Sequence, residues 1–535
     1  MLAATSKSVV VAVSAAIVAA VAIGIASVRS DESSLAPSRS GDAVEADPGN
    51  VAEIADAWAA AWSADAVSAM VSLAEPPAPR LAEQVASFRS SVGAAAVRAR
   101  ARRPVVEGDA ARAAVDVAVD LSGYGTWTYT TEIRLRRGDE DWRVVWSPSA
   151  LHPALTAERR LALAPLVAAP GELLAADGTP LTGAAVPAGL AAQLVRPLRD
   201  AFAVTLAGVT PVDVQVIGPD GAATLIDSVG GRAPESVRTS IDLRVQAAAE
   251  AALAGVAQPA AVVAVRPSTG EVVASISNPV RGFNRALNGR YPPGSTFKVI
   301  TSTALLGSGV TADTPTTCPE VARIGGREFR NAEGAALGDI PFRRAFYESC
   351  NTAFVQLAAS LEGGLLTAAA ERYGFNAAPT LEVPAETSSF PAPASVIDQA
   401  SAAIGQGRVL ATPLQMASVA ASVASGAVRP LTLRAVDDAS AVVGRTLPDG
   451  VAATLQELMR LVVSEGTGTA ARLGGGPPVA GKTGTAEFGT ARPPRTHAWF
   501  IGFRGDLALA VVVEDGGFGG RVAAPIARSV FAALG

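Results

Sequence analysis

Along the chain the spacing of apolar residues changes several times, and each change marks a different kind of structure. Ser8 to Val28 is an uncharged run of Val, Ala, Ile, Gly and Ser. At ~1.5 Å per residue in a helix it is long enough to cross a bilayer. Lys7 precedes it while Asp31 and Glu32 follow, so the positive-inside bias places the N-terminus in the cytoplasm and the bulk of the chain outside. The run exceeds the apolar core of a cleaved leader, which favours a retained anchor, although Ala20-Val21-Ala22 has the form of a cleavage site. Residues 31–50, rich in Ser, Pro, Gly and Asp, read as a linker.

From Val51 to about Leu73 the spacing is helical, with Ile54, Ala57, Trp58, Ala61 and Trp62 on one face. A second helix is expected from about Pro79 to Val97. The period then falls to two. Val115, Val117, Val119 and Leu121 alternate with Asp116 and Asp120; Trp127, Tyr129 and Ile133 repeat the pattern, and Trp142, Val144 and Trp146 follow a Gly138-Asp139 turn. Helices followed by a meander of long strands predict a small α+β domain over 51–155. From 156 to 238 the signal is faint. Gly171 to Leu174 with Asp177-Gly178 suggest a strand and turn, and the stretch reads as a connecting module.

Residues 239–535 are more regular. Asp242 can cap a helix that buries Val245, Ala248, Ala249, Ala252 and Leu253. Ala261–Val265 and Val272–Ile276 form a hairpin across Pro267-Ser268-Thr269-Gly270. After a long helical stretch, strands return at Pro478–Ala486, His497–Phe503 and Leu507–Glu514, and a closing helix buries Ile526, Val530, Phe531 and Leu534. The expectation is a five-stranded antiparallel sheet beside a helical lobe. The glycines at 516, 517, 519 and 520 read as a loop before the last helix rather than a phosphate cradle, since no Walker-type lysine follows.

With 535 residues the chain holds several domains, and a net charge of −5 leaves no basic footprint for nucleic acid. Two histidines, His152 and His497, leave little room for a Ser-His-Asp triad or a histidine metal site. Cys318 and Cys350 either pair, in an exported domain, or are simply small buried residues. Lysine usage changes the picture most: of 44 basic residues only Lys7, Lys298 and Lys482 are lysines. Arginine cannot give up its proton, so a lysine kept in such a background points to a place where the proton must come off.

Lys298 lies three residues after Ser295 in Tyr291-Pro292-Pro293-Gly294-Ser295-Thr296-Phe297-Lys298, a turn running into a helix. Ser295 thus opens a helix whose free N–H groups favour negative charge on its oxygen. Lys298 serves as its base only if burial or a second cation lowers its pKa. Ser349-Cys350-Asn351, in a helical stretch, and Lys482-Thr483-Gly484-Thr485, on an expected strand, complete a Ser-x-x-Lys, Ser-x-Asn, Lys-Thr-Gly series.

These motifs in this order resemble the transpeptidase domain of class B penicillin-binding proteins. So do Thr239 to Gln246, Asn284-Arg285-Ala286-Leu287, Gly405-Gln406-Gly407, Ala411 to Ala417 and His497-Ala498-Trp499-Phe500. The 51–155 domain, ending in Trp146-Ser147-Pro148-Ser149-Ala150-Leu151-His152-Pro153, resembles the NTF2-like domain of the methicillin-resistance type. In the middle module the likeness decays, and Pro170 to Gly178 lacks the family's arginines. The resemblance implies a membrane-anchored peptidoglycan D,D-transpeptidase with carboxypeptidation as a second outcome. Ser295 would be nucleophile, Lys298 base and Ser349 proton relay. Asn351, Lys482, Thr483, Gly484 and Thr485 would hold substrate, with the N–H groups of Ser295 and Thr485 as oxyanion hole. It implies no metal or organic cofactor, covalent inhibition by β-lactams, peptidoglycan stem peptides as substrate and a SEDS-type glycosyltransferase as partner. A β-lactamase and a β-lactam sensor are the competing readings of the same motifs.

Overall fold

Trp58 and Trp62 stand one helical turn apart, both fully buried, and the first core forms around them. The computed structural model describes residues 49–535 apart from 140, 167–168, 185 and 209–210. The expected membrane span at 8–28 lies outside the described residues, among which no helix is long and apolar enough to cross a membrane. Helices α1 (Gly49–Ser63), α2 (Val67–Leu73) and α3 (Leu81–Ser91) cover a sheet of β1 (Ala94–Ala101), β2 (Val105–Glu107), β3 (Ala110–Leu121), β4 (Gly125–Arg137) and β5 (Trp142–Val145). The strands are antiparallel in the order β1-β3-β4-β5, with β2 on β3. On β3 the odd-numbered apolar residues face the helices, while Asp116 and Asp120 face outward and pair with Arg102 and Arg98.

Two helix expectations need correction. The helix expected over Val51–Leu73 is interrupted at Asp65, whose φ of 58° is left-handed, a conformation short polar side chains tolerate. The helix expected from Pro79 to Val97 begins at Leu81 and ends at Ser91, and 94–101 is strand β1. Alanine hid that strand: Val97 points inward and Arg98 and Arg100 outward, but the alanines between them carry no polarity signal.

Residues 156–238 do not build a core of their own among the described residues. Strands β6 (Arg160–Pro165), β7 (Val212–Ile217) and β8 (Ala223–Val229) form an antiparallel sheet whose Leu161, Val212, Val214, Val216 and Val229 join the first core. Trp127 Nε1 donates to Asp227 across that junction at 3.2 Å. The intervening helical segment at 188–201 instead sends Leu190, Leu194 and Leu198 into the C-terminal core. Its Gln193 amide acts as a pseudo-strand, accepting from Ser277 N at 3.0 Å and donating to Ser277 O at 2.9 Å. Glu250 caps its start by accepting from Gly189 N and Leu190 N, both at 3.0 Å.

The C-terminal domain opens with α4 (Leu243–Leu253), capped by Asp242, whose carboxylate accepts from Arg244 N at 2.9 Å. Next come β9 (Ala260–Val265), β10 (Val272–Asn278), α5 (Lys298–Gly307), α6 (Asn351–Ala359), α7 (Pro413–Ser425) and α8 (Val451–Ser464). The chain closes with β11 (Ala480–Phe488), β12 (Arg495–Arg504), β13 (Leu507–Val513) and α9 (Gly519–Ala533). The antiparallel sheet runs β10-β9-β13-β12-β11, so β11 is an edge strand. Both faces are covered, by α4 and α9 on one side and by the helical lobe around the almost wholly buried α7 on the other. That double coverage explains why β9 and β13 read as unbroken apolar runs.

Leu194→Ala tests the assignment of the 188–201 segment. Removing this fully buried side chain is expected to cost about 2–5 kcal/mol in the C-terminal domain alone. In urea the far-ultraviolet transition should move to lower concentration. The tryptophan fluorescence transition should stay in place, because every tryptophan except Trp499 lies at or before Trp146.

Candidate active site

The turn before Ser295 is held from four sides. Gly294, at φ 54°, packs so closely on the edge strand β11 that a Cβ there would lie 2.9 Å from Thr485 O. Its N–H donates to Gly405 O at 2.9 Å, and a Cβ on Gly405 would meet Gly294 O at 2.1 Å. Only glycine fits either position. The Trp499 indole donates to Pro292 O at 3.1 Å, and Thr296 Oγ1 donates to Pro293 O at 2.7 Å. Tyr291 Oη donates to Glu514 at 2.7 Å, with Arg285 on the same oxygen at 2.8 Å. So constrained, the chain makes one 3-10 turn, Gly294–Phe297, that runs directly into α5. Ser295 sits half-buried in this turn.

One turn on, Lys298 is fully buried. Its Nζ donates to Ser349 O and Asn351 Oδ1, both at 2.7 Å, and to Ser349 Oγ at 3.3 Å, 5.1 Å from the centre of the Phe354 ring. Lys482, from β11, is also fully buried and reaches Ser349 Oγ at 2.8 Å. A single hydroxyl therefore lies between two lysine nitrogens. Ser349 achieves this through a left-handed backbone, φ 59°, just ahead of α6. The next residue, Cys350, caps α6 through its sulfur and forms a disulfide with Cys318. Asn331 braces the same loop: its Oδ1 accepts from Thr352 N at 3.0 Å and its Nδ2 donates to Pro319 O and Ala335 O.

Burial disfavours charge on both amines. It pushes Lys298 well below the ordinary lysine value, and the neighbouring Lys482 cation pushes the same way. Lys482 is lowered to about 7 by burial. Both effects make Lys298 give up its proton more readily than an ordinary lysine, which is what a base for Ser295 requires.

Ser295, Lys298, Ser349, Asn351 and Lys482-Thr483-Gly484-Thr485 converge on one cleft between β11 and the helical lobe. Ser295 Oγ makes no hydrogen bond among the described residues, and Lys298 is engaged with Ser349 and Asn351 rather than with it. Asn351 Nδ2 donates to Arg330 O at 3.0 Å and has a second hydrogen to offer. Thr483 Oγ1 shares a hydrogen bond with Thr467 at 2.6 Å, and Thr485 Oγ1 accepts from Gly519 N at 3.3 Å. Gly519 and Gly520 open α9 instead of lying in the loop before it. His152 packs on Trp127 and Tyr129 in the first domain, and His497 stacks on Phe488. No cluster of His, Cys, Asp or Glu suited to a metal occurs among the described residues. Gly405 and Trp499 stood in motifs without a stated role; Asn331 and Thr467 carried no sequence signal at all.

A serine at the head of a buried helix, with a fully buried lysine one turn away and an antiparallel edge strand beside it, defines an acyl-enzyme-forming serine transferase or hydrolase. The model of the penicillin binding protein transpeptidase domain matches residues 260–532, and that of the NTF2-like N-terminal transpeptidase domain matches residues 50–159. The chain belongs to the penicillin-binding protein transpeptidase family. It is 37% identical over 370 residues to the peptidoglycan D,D-transpeptidase PbpA of Mycobacterium tuberculosis, covering 58% of this chain and 74% of that one. With the peptidoglycan D,D-transpeptidase MrdA of Acinetobacter baumannii the identity is 28% over 383 residues, 58% of this chain and 56% of the relative. The penicillin G acyl-enzyme structure of M. tuberculosis penicillin-binding protein A superposes with a TM-score of 0.58 at 26% identity, covering 69% of this chain and all of that one.

Because Lys298 acts without its proton, the reactivity of Ser295 should rise with pH up to the folded-state pKa and level off above it. For an ordinary lysine that rise would extend to about 10.5. Lys298→Arg, which keeps a cation but cannot deprotonate, should slow serine acylation by about 10²–10⁴-fold. Stopped-flow reaction with an activated ester across pH 5 to 10 checks both.

Proposed function

We infer that this chain is a peptidoglycan D,D-transpeptidase, and the observation that carries this is the fully buried Lys298 between the Ser295 turn and Ser349. Ser295 Oγ attacks the penultimate D-Ala carbonyl of a stem peptide while its proton passes to Lys298 Nζ. The D-Ala–D-Ala peptide bond breaks, and the departing D-Ala amine receives a proton through Ser349 Oγ, which sits within reach of both lysines. An amine of a neighbouring strand then attacks the ester carbonyl, loses a proton, and returns Ser295 to its hydroxyl form. The tetrahedral oxyanion is held by the N–H groups of Ser295 and Thr485, a contribution of roughly 3–4 kcal/mol per donor. Lys482, Thr483 and Thr485 bind the terminal carboxylate, and the free hydrogen of Asn351 Nδ2 holds the peptide.

A β-lactam presents an amide carbonyl and a carboxylate in a like arrangement, the amide strained in a four-membered ring, and is expected to acylate Ser295. In this reading the run at Ser8–Val28 anchors the chain in the cell membrane with the catalytic domain outside, supported by the uncharged stretch and the preceding Lys7. Chain polymerisation is assigned to a separate glycosyltransferase of the SEDS type, a proposal that rests on family resemblance.

Intact mass after addition of benzylpenicillin tests the reading. Wild-type chain should gain one drug mass and keep it for many minutes, while Ser295→Ala should gain nothing. Rapid loss of the adduct with continuing drug consumption would contradict the transpeptidase reading in favour of β-lactam hydrolysis.

A further inference from the structure

Beside the cleft lies an ion pair that the chemistry above leaves unused. Arg521 Nη2 donates to Glu333 Oε1 at 2.8 Å. Glu333 belongs to the turn Ala332–Gly334, which follows Arg330 and Asn331, the two residues that brace Asn351 and Thr352. Arg521 stands in the first turn of α9, one residue past Gly520. That turn is seated on the opposite wall of the cleft. Gly519 N donates to Thr485 Oγ1, and a Cβ on Gly520 would lie 3.7 Å from Thr483 Cγ2 and 2.4 Å from Thr467 O. The pair therefore spans the mouth of the site, from the Ser349–Asn351 wall to the Lys482–Thr485 wall.

Several features make this contact exchangeable. Both side chains are mostly exposed, 68% for Arg521 and 59% for Glu333, and exposed ion pairs hold weakly. Arg521 has independent support, because its guanidinium lies 4.8 Å over the Phe518 ring. It would stay in place when Glu333 leaves, offering the planar fork that suits a carboxylate. The positive end of α9 adds to the same field.

We propose that Arg521 is a specificity residue for the substrate carboxylate, and that Glu333 is the carboxylate it exchanges. The C-terminal carboxylate of the stem peptide, arriving at Thr483 and Thr485, displaces Glu333 and opens the clasp between the two walls. This rests on the transpeptidase reading above. Arg521 acts on binding and on encounter, not on the limiting rate of acylation.

The test uses the full chain and two probes that differ only in the carboxylate: benzylpenicillin and its methyl ester. For each protein the second-order acylation constant and its concentration dependence are measured by stopped flow or intact mass. Arg521→Gln should reduce the preference for the acid over the ester by about 3- to 10-fold, through weaker binding with the limiting rate preserved. Glu333→Gln should change that preference in the opposite direction by about 2- to 5-fold, because it frees the same guanidinium. The double substitution should behave as Arg521→Gln. Equal effects on acid and ester, or a loss of preference in both single variants, would overturn the proposal. A wild-type chain that forms no adduct with either probe would overturn the transpeptidase reading and this inference with it.

Discussion

Two lysine side chains buried within reach of one serine hydroxyl are the constraint on which this structure depends. An ammonium taken out of water is costly, and two of them sharing Ser349 Oγ are costlier still. Among the described residues no carboxylate pairs with either lysine; Lys298 is surrounded by a carbonyl, an amide oxygen, a hydroxyl and the face of Phe354. Those groups accept hydrogen bonds from an amine in either protonation state, whereas a carboxylate would lock the proton on. Burial and the second cation favour the unprotonated form of Lys298, the form that can take the Ser295 proton.

Such a base is useful only if the serine cannot drift. The nucleophile turn is accordingly tightly packed, with Gly294 wedged between Thr485 and Gly405 and its approach fixed by Trp499, Tyr291 and Glu514. On the other wall, the disulfide from Cys318 to Cys350 and the Asn331 amide hold Ser349 in a left-handed conformation that its side chain would not choose unaided. The walls meet inside the cleft through Lys482 and Ser349, and at its mouth an exposed Arg521–Glu333 pair joins them.

The convergence of the motifs on one cleft was legible because short motifs state chemistry directly: a serine at a helix start, lysines in a chain that otherwise writes arginine, and a Lys-Thr-Gly strand. The sheet was legible because strands covered on both faces must be apolar throughout, as β9 and β13 are. Strand β1 was not, since alanine suits helix propensity and leaves the alternation silent. Nor was the division of residues 156–238 between two cores. That depends on contacts such as Gln193 with Ser277, 84 residues apart, which no local pattern records. The supports of the site were hidden for a related reason. Gly405, Trp499 and Asn331 act through backbone atoms of distant segments, and a residue that braces another's carbonyl has no characteristic neighbours in sequence.

Direct titration of the lysines tests the neutral-base claim. The full chain contains only Lys7, Lys298 and Lys482, so uniform labelling of lysine side chains with carbon-13 and nitrogen-15 yields three resolvable spin systems. Loss of one signal in Lys298→Met assigns it. The Lys298 signal should titrate well below the ordinary lysine value of 10.5, with Lys482 near 7. A Lys298 signal that titrates at the ordinary lysine value would contradict the claim that burial and the second cation make this lysine the base.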